Sequence, residues 1–269
     1  MVKYLNISIV LYNSEFDQII DIVEELKKNE AVNQIYLIDN SPIRNVAFEN
    51  CDTNYMFIGR NLGYGSGHNL AINYSINEGV KYHLVLNADI SFGKSVLDEL
   101  ISKMDNDLEI GLIMPKVQNI DGSLQILPKR LPTPFNLIIR VFPPLRKIFH
   151  DKNKEYTLEN YQDLELNVPI ISGCFSLFRV DALKDVGLYD DKFFMYFEDF
   201  DISRRIHTKY KTLYFPKVSV IHAHERGAAK NYKLFKVFVK SAIIYFNKYG
   251  WFFDKERKLI NKEVFKQLK

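Results

Sequence analysis

The segment FFMYFEDFDISRR (residues 193–205) contains three carboxylates within four positions, Glu198, Asp199 and Asp201. Like charges this close raise one another's pKa, which can prepare a general base for a hydroxyl nucleophile. The alternative is the start of a helix, where the dipole favours acidic residues and arginines one turn later pair with them. Both interpretations stay open for Asp201, and the catalytic one is favoured for Asp199.

A further acidic residue, Asp89, ends the apolar segment HLVLNADI (83–90). A buried carboxylate is costly unless it is paired or metal-bound, and at a strand's carboxyl end it can ligate a divalent cation that also holds a diphosphate. A turn or a helix N-cap is the alternative. His222 and His224 share one face of a strand end, so a histidine there could complete the metal shell. Two ordinary histidines near a turn are the alternative to that hypothesis.

Glycines alternate with other residues in RNLGYGSGHN (60–69), just before a predicted helix. They allow close approach of a ligand to the backbone, and the helix N-terminus that follows suits an anion. The spacing matches neither the dinucleotide fingerprint nor the P-loop, which excludes both of those sites. Three polar residues that flank the glycines favour a binding loop over a ligand-free one: Arg60, Asn61 and Asn69.

The first ninety residues alternate short apolar segments with helical spacing, which predicts a mostly parallel sheet covered by helices. Strands are predicted over 6–11, 34–39, 55–59 and 83–89, with a helix over about 67–77. Ligands of such sheets bind at the carboxyl ends of the strands. The polar residues at those ends are Tyr12, Asn13, Asp39, Arg60, Asn61, Asn87 and Asp89.

Beyond residue 90, predicted strands and helices alternate less regularly. Helices are predicted over 95–104, 181–186 and 231–249, a loop leads into a helix within 193–206, and strands are predicted over 110–118, 169–180 and 212–224. The segment 121–166 holds five prolines among basic residues, and we expect it to be mobile or to face an acceptor.

The composition of the chain excludes several classes of protein. The 269 residues include two cysteines, too few for a disulfide framework, so a reducing cytosol is the default compartment. No apolar run approaches the roughly 18 residues of a membrane span, and the N-terminus does not read as a secretory signal. The net charge is +3, but residues 230–269 carry ten Lys and one Arg against three acidic residues. This uneven charge excludes a uniformly basic nucleic-acid binder.

The basic, aromatic tail indicates an anionic partner. Lys233, Lys236 and Lys240 lie on one helical stripe, and Trp251, Phe252 and Phe253 follow. This pattern predicts an interfacial segment that docks on an anionic membrane surface. A C-terminal helix packed on the body and a dimer contact are equally open alternatives.

Taken in order, the motifs resemble those of family 2 glycosyltransferases, which are inverting, nucleotide-sugar-dependent enzymes. The similarity is strongest to the bacterial branch that includes rhamnosyltransferases, and it spans about residues 5–230. The motifs that carry it are VLYNS (10–14), LIDNS (37–41), NLGYGSGHN (61–69), LNADI (86–90), SGCFSLFR (172–179), GLYDDKFFMYFEDFDISRR (187–205) and HAHERG (222–227).

The resemblance implies an α/β fold of the GT-A type, a mostly parallel central sheet flanked by helices. The GT-A domain would cover 1–229, with a nucleotide-binding part over about 1–120 and an acceptor and catalytic part over 121–229. Residues 230–269 would form a helical tail.

The resemblance also assigns roles by position. Tyr12, Asn13 and Asp39 would hold the nucleobase. Four residues would lie along the ribose and diphosphate: Arg60, Asn61, Gly63 and Asn69. LNADI stands where the family has its DXD motif, with Asn87 at the first acidic position and Asp89 as the metal-binding carboxylate.

At the catalytic end, His224 would be a second ligand of Mg²⁺ or Mn²⁺, and Asp199 would be the base. Glu198 would orient the sugar or the acceptor, and Ser172 and Gly173 would border the acceptor side.

The function implied is transfer of a sugar to a hydroxyl of a lipid-linked saccharide in bacterial cell-surface polysaccharide or O-antigen synthesis. Similarity favours dTDP-L-rhamnose as the donor, in the cytoplasm at the inner face of the membrane, with a homodimer possible. A UDP-sugar donor, a sugar nucleotidyltransferase and a non-catalytic carbohydrate-binding scaffold are the alternatives. Residues 6–16 lack the glycine-rich phosphate loop expected of a nucleotidyltransferase.

Overall fold

The computed structural model describes residues 4–223 and 232–268. Its strands are β1 (Leu5–Leu11), β2 (Val32–Asp39), β3 (Asn54–Phe57), β4 (Tyr82–Leu86), β5 (Ile90–Ser91), β6 (Ile110–Gln118), β7 (Leu166–Asn167), β8 (Phe175–Arg179) and β9 (Lys211–His222). Its helices are α1 (Phe16–Lys27), α2 (Tyr64–Glu78), α3 (Ser95–Asn106), α4 (Pro134–Val141), α5 (Pro143–Ile148), α6 (His150–Thr157), α7 (Val180–Val186), α8 (Glu198–His207), α9 (Tyr232–Tyr249) and α10 (Lys255–Lys266).

The strands form one sheet in the order β3-β2-β1-β4-β8-β6-β9-β5, and β7 pairs with β9. The first four strands in this order are parallel, as predicted. β8 then runs antiparallel to both β4 and β6, while β6 and β9 are parallel, so the other half of the sheet is mixed. The α/β class is confirmed.

The observed elements correct several predicted boundaries. The strand predicted over 83–89 ends at Leu86, so Asn87 and Asp89 lie in the turn before β5. The strand predicted over 169–180 is confined to β8. The segment 121–166 contains α4, α5 and α6 in place of a long irregular stretch, and α4 and α5 begin at prolines, which suit the first turn of a helix.

The C-terminal helices pack on the body. Tyr245 and Phe246 of α9 are buried at 0% and 2% exposure. Arg204 of α8 donates to both oxygens of Asp254 at 2.8 and 2.9 Å, and also to Glu256. These contacts join α9 and α10 to the helix that carries the acidic residues. No helix within the described ranges has the length and apolar character that crossing a membrane requires.

A buried polar network lies between the parallel strands and α2. The Ser8 hydroxyl lies 2.7 Å from His68 Nδ1 and 2.8 Å from His83 Nε2, and His83 Nδ1 lies 2.7 Å from the Ser75 hydroxyl. Both imidazoles are fully buried. Burial lowers the pKa of His83 to about 3, and burial followed by repulsion from His83 lowers the pKa of His68 well below 6.5. Both side chains are therefore neutral in the folded protein.

We expect the network to make the fold acid-sensitive. Below pH 6.5, the unfolded chain binds protons that folded His83 does not, so the free energy of unfolding falls by about 1.4 kcal/mol per pH unit for each such histidine. Urea denaturation between pH 7.5 and 5 should show a shallower pH dependence for His83→Gln than for the wild type. The exposed His150→Gln is the control, and an unchanged slope in His83→Gln would contradict the assignment.

Candidate active site

The acidic pair Glu198–Asp199 opens α8 directly after a strained turn. Tyr196 and Phe197 have φ angles of 66° and 68°, a left-handed conformation that costs non-glycine residues about 1–3 kcal/mol each. Aromatic packing holds this turn, because the Phe197 ring lies 5.4 Å from that of Phe238 and 5.5 Å from that of Tyr245, both on α9. The C-terminal helix therefore supports the position of the two carboxylates.

The two carboxyl groups differ in exposure and in partners. Asp199 is partly exposed, and its oxygens accept hydrogen bonds from the backbone N–H groups of Gly173 (3.3 Å) and Phe200 (2.9 Å). Glu198 is buried, and its Oε2 has no hydrogen-bond partner among the described residues.

Charge divides unequally between these groups. Burial raises the pKa of Asp199, while Lys129 and the two backbone donors oppose that shift. Burial, followed by repulsion from Asp199, raises the pKa of Glu198 well above its usual range. The negative charge of the pair therefore belongs first to Asp199, which suits a base beside a protonated neighbour.

Lys129 faces this pair, and the sequence analysis did not single it out. It is 9% exposed, and its amine donates to Leu127 O at 2.8 Å. The amine also lies 5.9 Å from the centre of the Phe200 ring. Burial lowers the pKa of Lys129 to about 7, repulsion from Arg140 acts in the same direction, and Asp199 opposes both. Lys129 lies in the segment predicted to be irregular, where no motif marks it.

Tyr64 links the acidic pair to the end of β4. Its hydroxyl lies 2.6 Å from Gly173 O and 2.8 Å from Asn87 Oδ1. Because Gly173 N donates to Asp199, one chain of contacts runs from Asn87 to the carboxylate. Burial raises the pKa of Tyr64 well above its usual range, so the hydroxyl stays protonated. The only sequence signal for Tyr64 was its place between two glycines of the loop.

Asp89 lies beside a histidine at the end of β9. Its Oδ1 is 3.2 Å from His222 Nε2, and the same nitrogen is 3.3 Å from Asn87 Nδ2. Burial would lower the pKa of His222, but the contacts that raise it, of which the hydrogen bond to Asp89 is foremost, bring it to about 9. The structure thus brings His222 to Asp89, while His224, the expected second ligand, lies outside the described residues.

These donors fit a divalent cation. A carboxylate oxygen and an imidazole nitrogen lie next to each other at Asp89 and His222, and both are ligands that Mn²⁺ accepts once the imidazole has lost its proton. Across residues 4–223 and 232–268, no group of three His, Cys, Asp or Glu side chains is arranged to hold a metal ion.

A cleft of about 240 Å³ opens at the carboxyl ends of β1 and β2. Its lining residues are Asn13, Ser14, Glu15, Asp39, Ser41, Ile43, Asn45 and Phe48. Asp39 is buried and accepts from Ser41 N at 2.9 Å and from the Tyr55 hydroxyl at 2.7 Å. Asn13 N donates to the Ser41 hydroxyl at 2.8 Å. Two of the residues expected around a nucleobase therefore line one cleft, and the third, Tyr12, is exposed beside Asn13.

The glycine-rich loop adopts a conformation that depends on Gly63. Its φ is 88°, and a Cβ there would lie 2.2 Å from Phe194 O. Asn61 Oδ1 accepts from Gly63 N at 2.9 Å, while the Asn61 and Arg60 side chains are exposed. The loop therefore presents two polar side chains to solvent just before α2.

The remaining expected residues have mainly structural contacts. Asn69 donates to Tyr189 O at 2.8 Å and accepts from Tyr189 N at 3.0 Å, which fastens the segment before the acidic pair to α2. Asp201 is fully buried and accepts from Arg205 at 2.9 Å, so the helix-start interpretation explains it. Ser172 is partly exposed and directly precedes Gly173.

The fold and the site define an α/β protein with a polar binding edge at the carboxyl ends of its parallel strands. The sequence model of Glycosyl transferase family 2 matches residues 7–187, and the chain belongs to that family. The resemblance stated from the motifs is confirmed.

Two curated relatives are similar at modest identity. An N-acetylglucosaminyl-diphospho-decaprenol L-rhamnosyltransferase of Mycobacterium tuberculosis is 28% identical over 184 residues, which is 63% of this chain and 59% of the relative. The low-salt glycan biosynthesis hexosyltransferase Agl10 of Haloferax volcanii is 27% identical over 208 residues, 76% of this chain and 62% of the relative. The matched region spans about three fifths of each relative's length.

Solved structures confirm the GT-A fold. GalNAc-T7, crystallised with UDP, GalNAc and Mn²⁺, superposes with a TM-score of 0.61 at 16% identity, covering 83% of this chain and 44% of that protein. S. aureus TarS gives a TM-score of 0.57 at 13% identity, covering 91% and 40%.

We expect Tyr64→Phe to destabilise the protein, because it removes the hydroxyl that lies between Gly173 O and Asn87 Oδ1. The loss in the free energy of unfolding should be about 1–3 kcal/mol in urea denaturation. Tyr74→Phe, at an exposed ring that stacks on Tyr36, is the matched control and should change it little. Equal effects of the two substitutions would count against the bridging role of Tyr64.

Proposed function

We propose that the protein is an inverting glycosyltransferase in which Asp199 is the catalytic base. The observation that supports this most is the chain of contacts from Asp199 through Gly173 and Tyr64 to Asn87. It sets a partly exposed carboxylate beside the strand end where a family 2 member is expected to hold its nucleotide sugar.

In this mechanism, Asp199 accepts the proton of an acceptor hydroxyl as that oxygen attacks the anomeric carbon of the donor. The nucleoside diphosphate leaves from the opposite face, so a single displacement inverts the configuration without a covalent intermediate. The N–H groups of Gly173 and Phe200 hold the carboxylate in place. Glu198, with its raised pKa, is a hydrogen-bond donor for a sugar hydroxyl.

We propose that Mg²⁺ or Mn²⁺ is held by Asp89 together with one of the two histidines of the motif HAHERG (222–227). His224 is the ligand that the family resemblance implies, and His222 is the one whose nitrogen lies beside the carboxylate. When bound, the cation offsets the charge that develops on the leaving diphosphate. Asn87 adds no charge where the family motif has its first acidic residue.

The donor we propose is dTDP-L-rhamnose, with a UDP-sugar as the alternative. Similarity to the mycobacterial rhamnosyltransferase supports rhamnose. Both donors carry a pyrimidine, which would enter the cleft that Asn13 and Asp39 line. Arg60, Asn61 and Gly63 would follow the ribose and diphosphate.

The acceptor we propose is a lipid-linked saccharide of bacterial surface polysaccharide synthesis, reached from the cytoplasmic face of the membrane. One face of α9 is packed on the body, and beside it runs an exposed apolar stripe of Tyr232, Phe235, Val239 and Ile243. A stripe of exposed lysines adjoins it, at 233, 236 and 240. Apolar and basic stripes side by side suit an anionic lipid surface. A homodimer contact is the alternative use of this face.

Two substitutions separate catalysis from donor binding. Asp199→Asn removes the base, so we expect sugar transfer to fall by at least a hundredfold while calorimetric affinity for the nucleotide sugar with Mn²⁺ stays within about twofold. Asp89→Ala should instead weaken the Mn²⁺-dependent part of that affinity. Wild-type turnover in Asp199→Asn would refute the base assignment, and unchanged affinity in Asp89→Ala would refute the metal assignment.

Membrane docking is tested without removing the tail, because Tyr245 and Asp254 are buried in the body. Phe252 and Phe253 are 71% and 92% exposed, and we expect Phe252→Ser with Phe253→Ser to reduce co-sedimentation with phosphatidylglycerol vesicles severalfold. Ile120→Ser, at an exposed apolar residue elsewhere, is the control. Retention of full vesicle binding in the double variant would refute docking through these two rings, and absence of vesicle binding by the wild type would favour the dimer alternative, to be checked by light scattering.

A further inference from the structure

Lys129 is held next to the proposed base by backbone contacts. Its N–H donates to Ile170 O at 3.4 Å, and three residues further on Gly173 N donates to Asp199. The side chain extends to the ring of Phe200, the residue after Asp199. The amine of Lys129 therefore lies next to the start of α8, close to the segment that holds Asp199.

The positive charge of Lys129 is poorly matched by the protein. Among the described residues, the hydrogen-bond partner of its amine is the neutral carbonyl of Leu127. Burying a cation without a counter-ion is costly. Arg140 is the cation whose repulsion lowers the pKa of the Lys129 amine, and Asp199 is the acidic group that opposes this shift.

Arg140 completes this cluster from α4. Its guanidinium lies 6.0 Å from the ring centre of Tyr156, a buried residue whose carbonyl accepts from Arg130 N, directly after Lys129. The same helix exposes two apolar side chains, Phe135 at 41% and Ile138 at 45%. Exposed apolar side chains therefore lie on the same helix as the cationic Arg140.

We propose that Lys129 and Arg140 form an anion subsite that binds the phosphate group linking the acceptor saccharide to its lipid. The saccharide would lie between this subsite and Asp199, and the first lipid carbons would pass over Phe135 and Ile138. This inference rests on the proposed function. A phosphate group would supply the negative counter-charge that the two cations lack, and a guanidinium binds phosphate oxygens in bidentate geometry.

The test uses farnesyl diphosphate as the probe, with the donor site first saturated by a nucleoside diphosphate and Mg²⁺. We expect calorimetric affinity for the probe to fall at least tenfold in Lys129→Met and in Arg140→Met. Arg146→Met removes the same charge from the neighbouring helix α5 and should leave affinity within twofold. Farnesol should bind without any dependence on Lys129 or Arg140, and inorganic diphosphate should bind more weakly than farnesyl diphosphate.

Probe affinity equal to wild type in both variants would overturn the subsite, as would an equal loss in Arg146→Met. Arg140 is exposed, so its variant keeps the test valid if Lys129→Met does not fold. In transfer assays of Lys129→Met and Arg140→Met, the subsite predicts a raised KM for a diphosphate-linked acceptor and an unchanged KM for a neutral alkyl glycoside. A shift in the pH profile of kcat with both acceptors would show instead that Lys129 acts on Asp199. Absence of transfer by the wild type refutes the proposed function and leaves the binding result intact.

Discussion

The site depends on keeping two adjacent carboxyl groups at one helix start, where burial raises the pKa of both and repulsion from Asp199 raises that of Glu198 further. Glu198 is buried, and its Oε2 has no hydrogen-bond partner within the described ranges, whereas Asp199 is partly exposed. Two left-handed residues, Tyr196 and Phe197, bring the pair to this position, and the strain persists because aromatic rings of α9 pack against them. Much of the C-terminal half can be understood as support for this turn.

A second consequence of the fold is a fixed relation between the end of β4 and Asp199. β8 lies antiparallel to β4, so the residues before β8 come alongside the end of β4. Asn87 N donates to Cys174 O at 2.9 Å, and Tyr64 reaches Gly173 from α2. A direct hydrogen bond to Cys174 and the hydroxyl of Tyr64 therefore connect the DXD-like turn to the segment that holds Asp199. Such a connection matters because transfer reactions lose rate steeply when reacting groups are misplaced.

The C-terminal helices have two faces with different physical roles. Toward the body, Arg204 and Asp254 form a buried bidentate ion pair that the ring of Tyr249 covers at 4.0 Å. Toward solvent, α9 exposes apolar and lysine stripes, and Phe253 is almost wholly exposed. The same segment therefore packs on the body and still exposes an apolar and basic face to solvent.

The sequence by itself determined the parallel half of the sheet, the residues at its strand ends and the family, because strand alternation and contiguous motifs are local patterns. It misjudged 121–166, because prolines also begin helices there, and within the tail that it predicted to be helical it gave bounds only for the helix over 231–249. Only the tertiary structure decided that β8 runs antiparallel, that Tyr64 bridges the two halves, and that Lys129 lies beside Asp199. These features arise from contacts between residues far apart in the chain, and such packing leaves no periodic signal at either position.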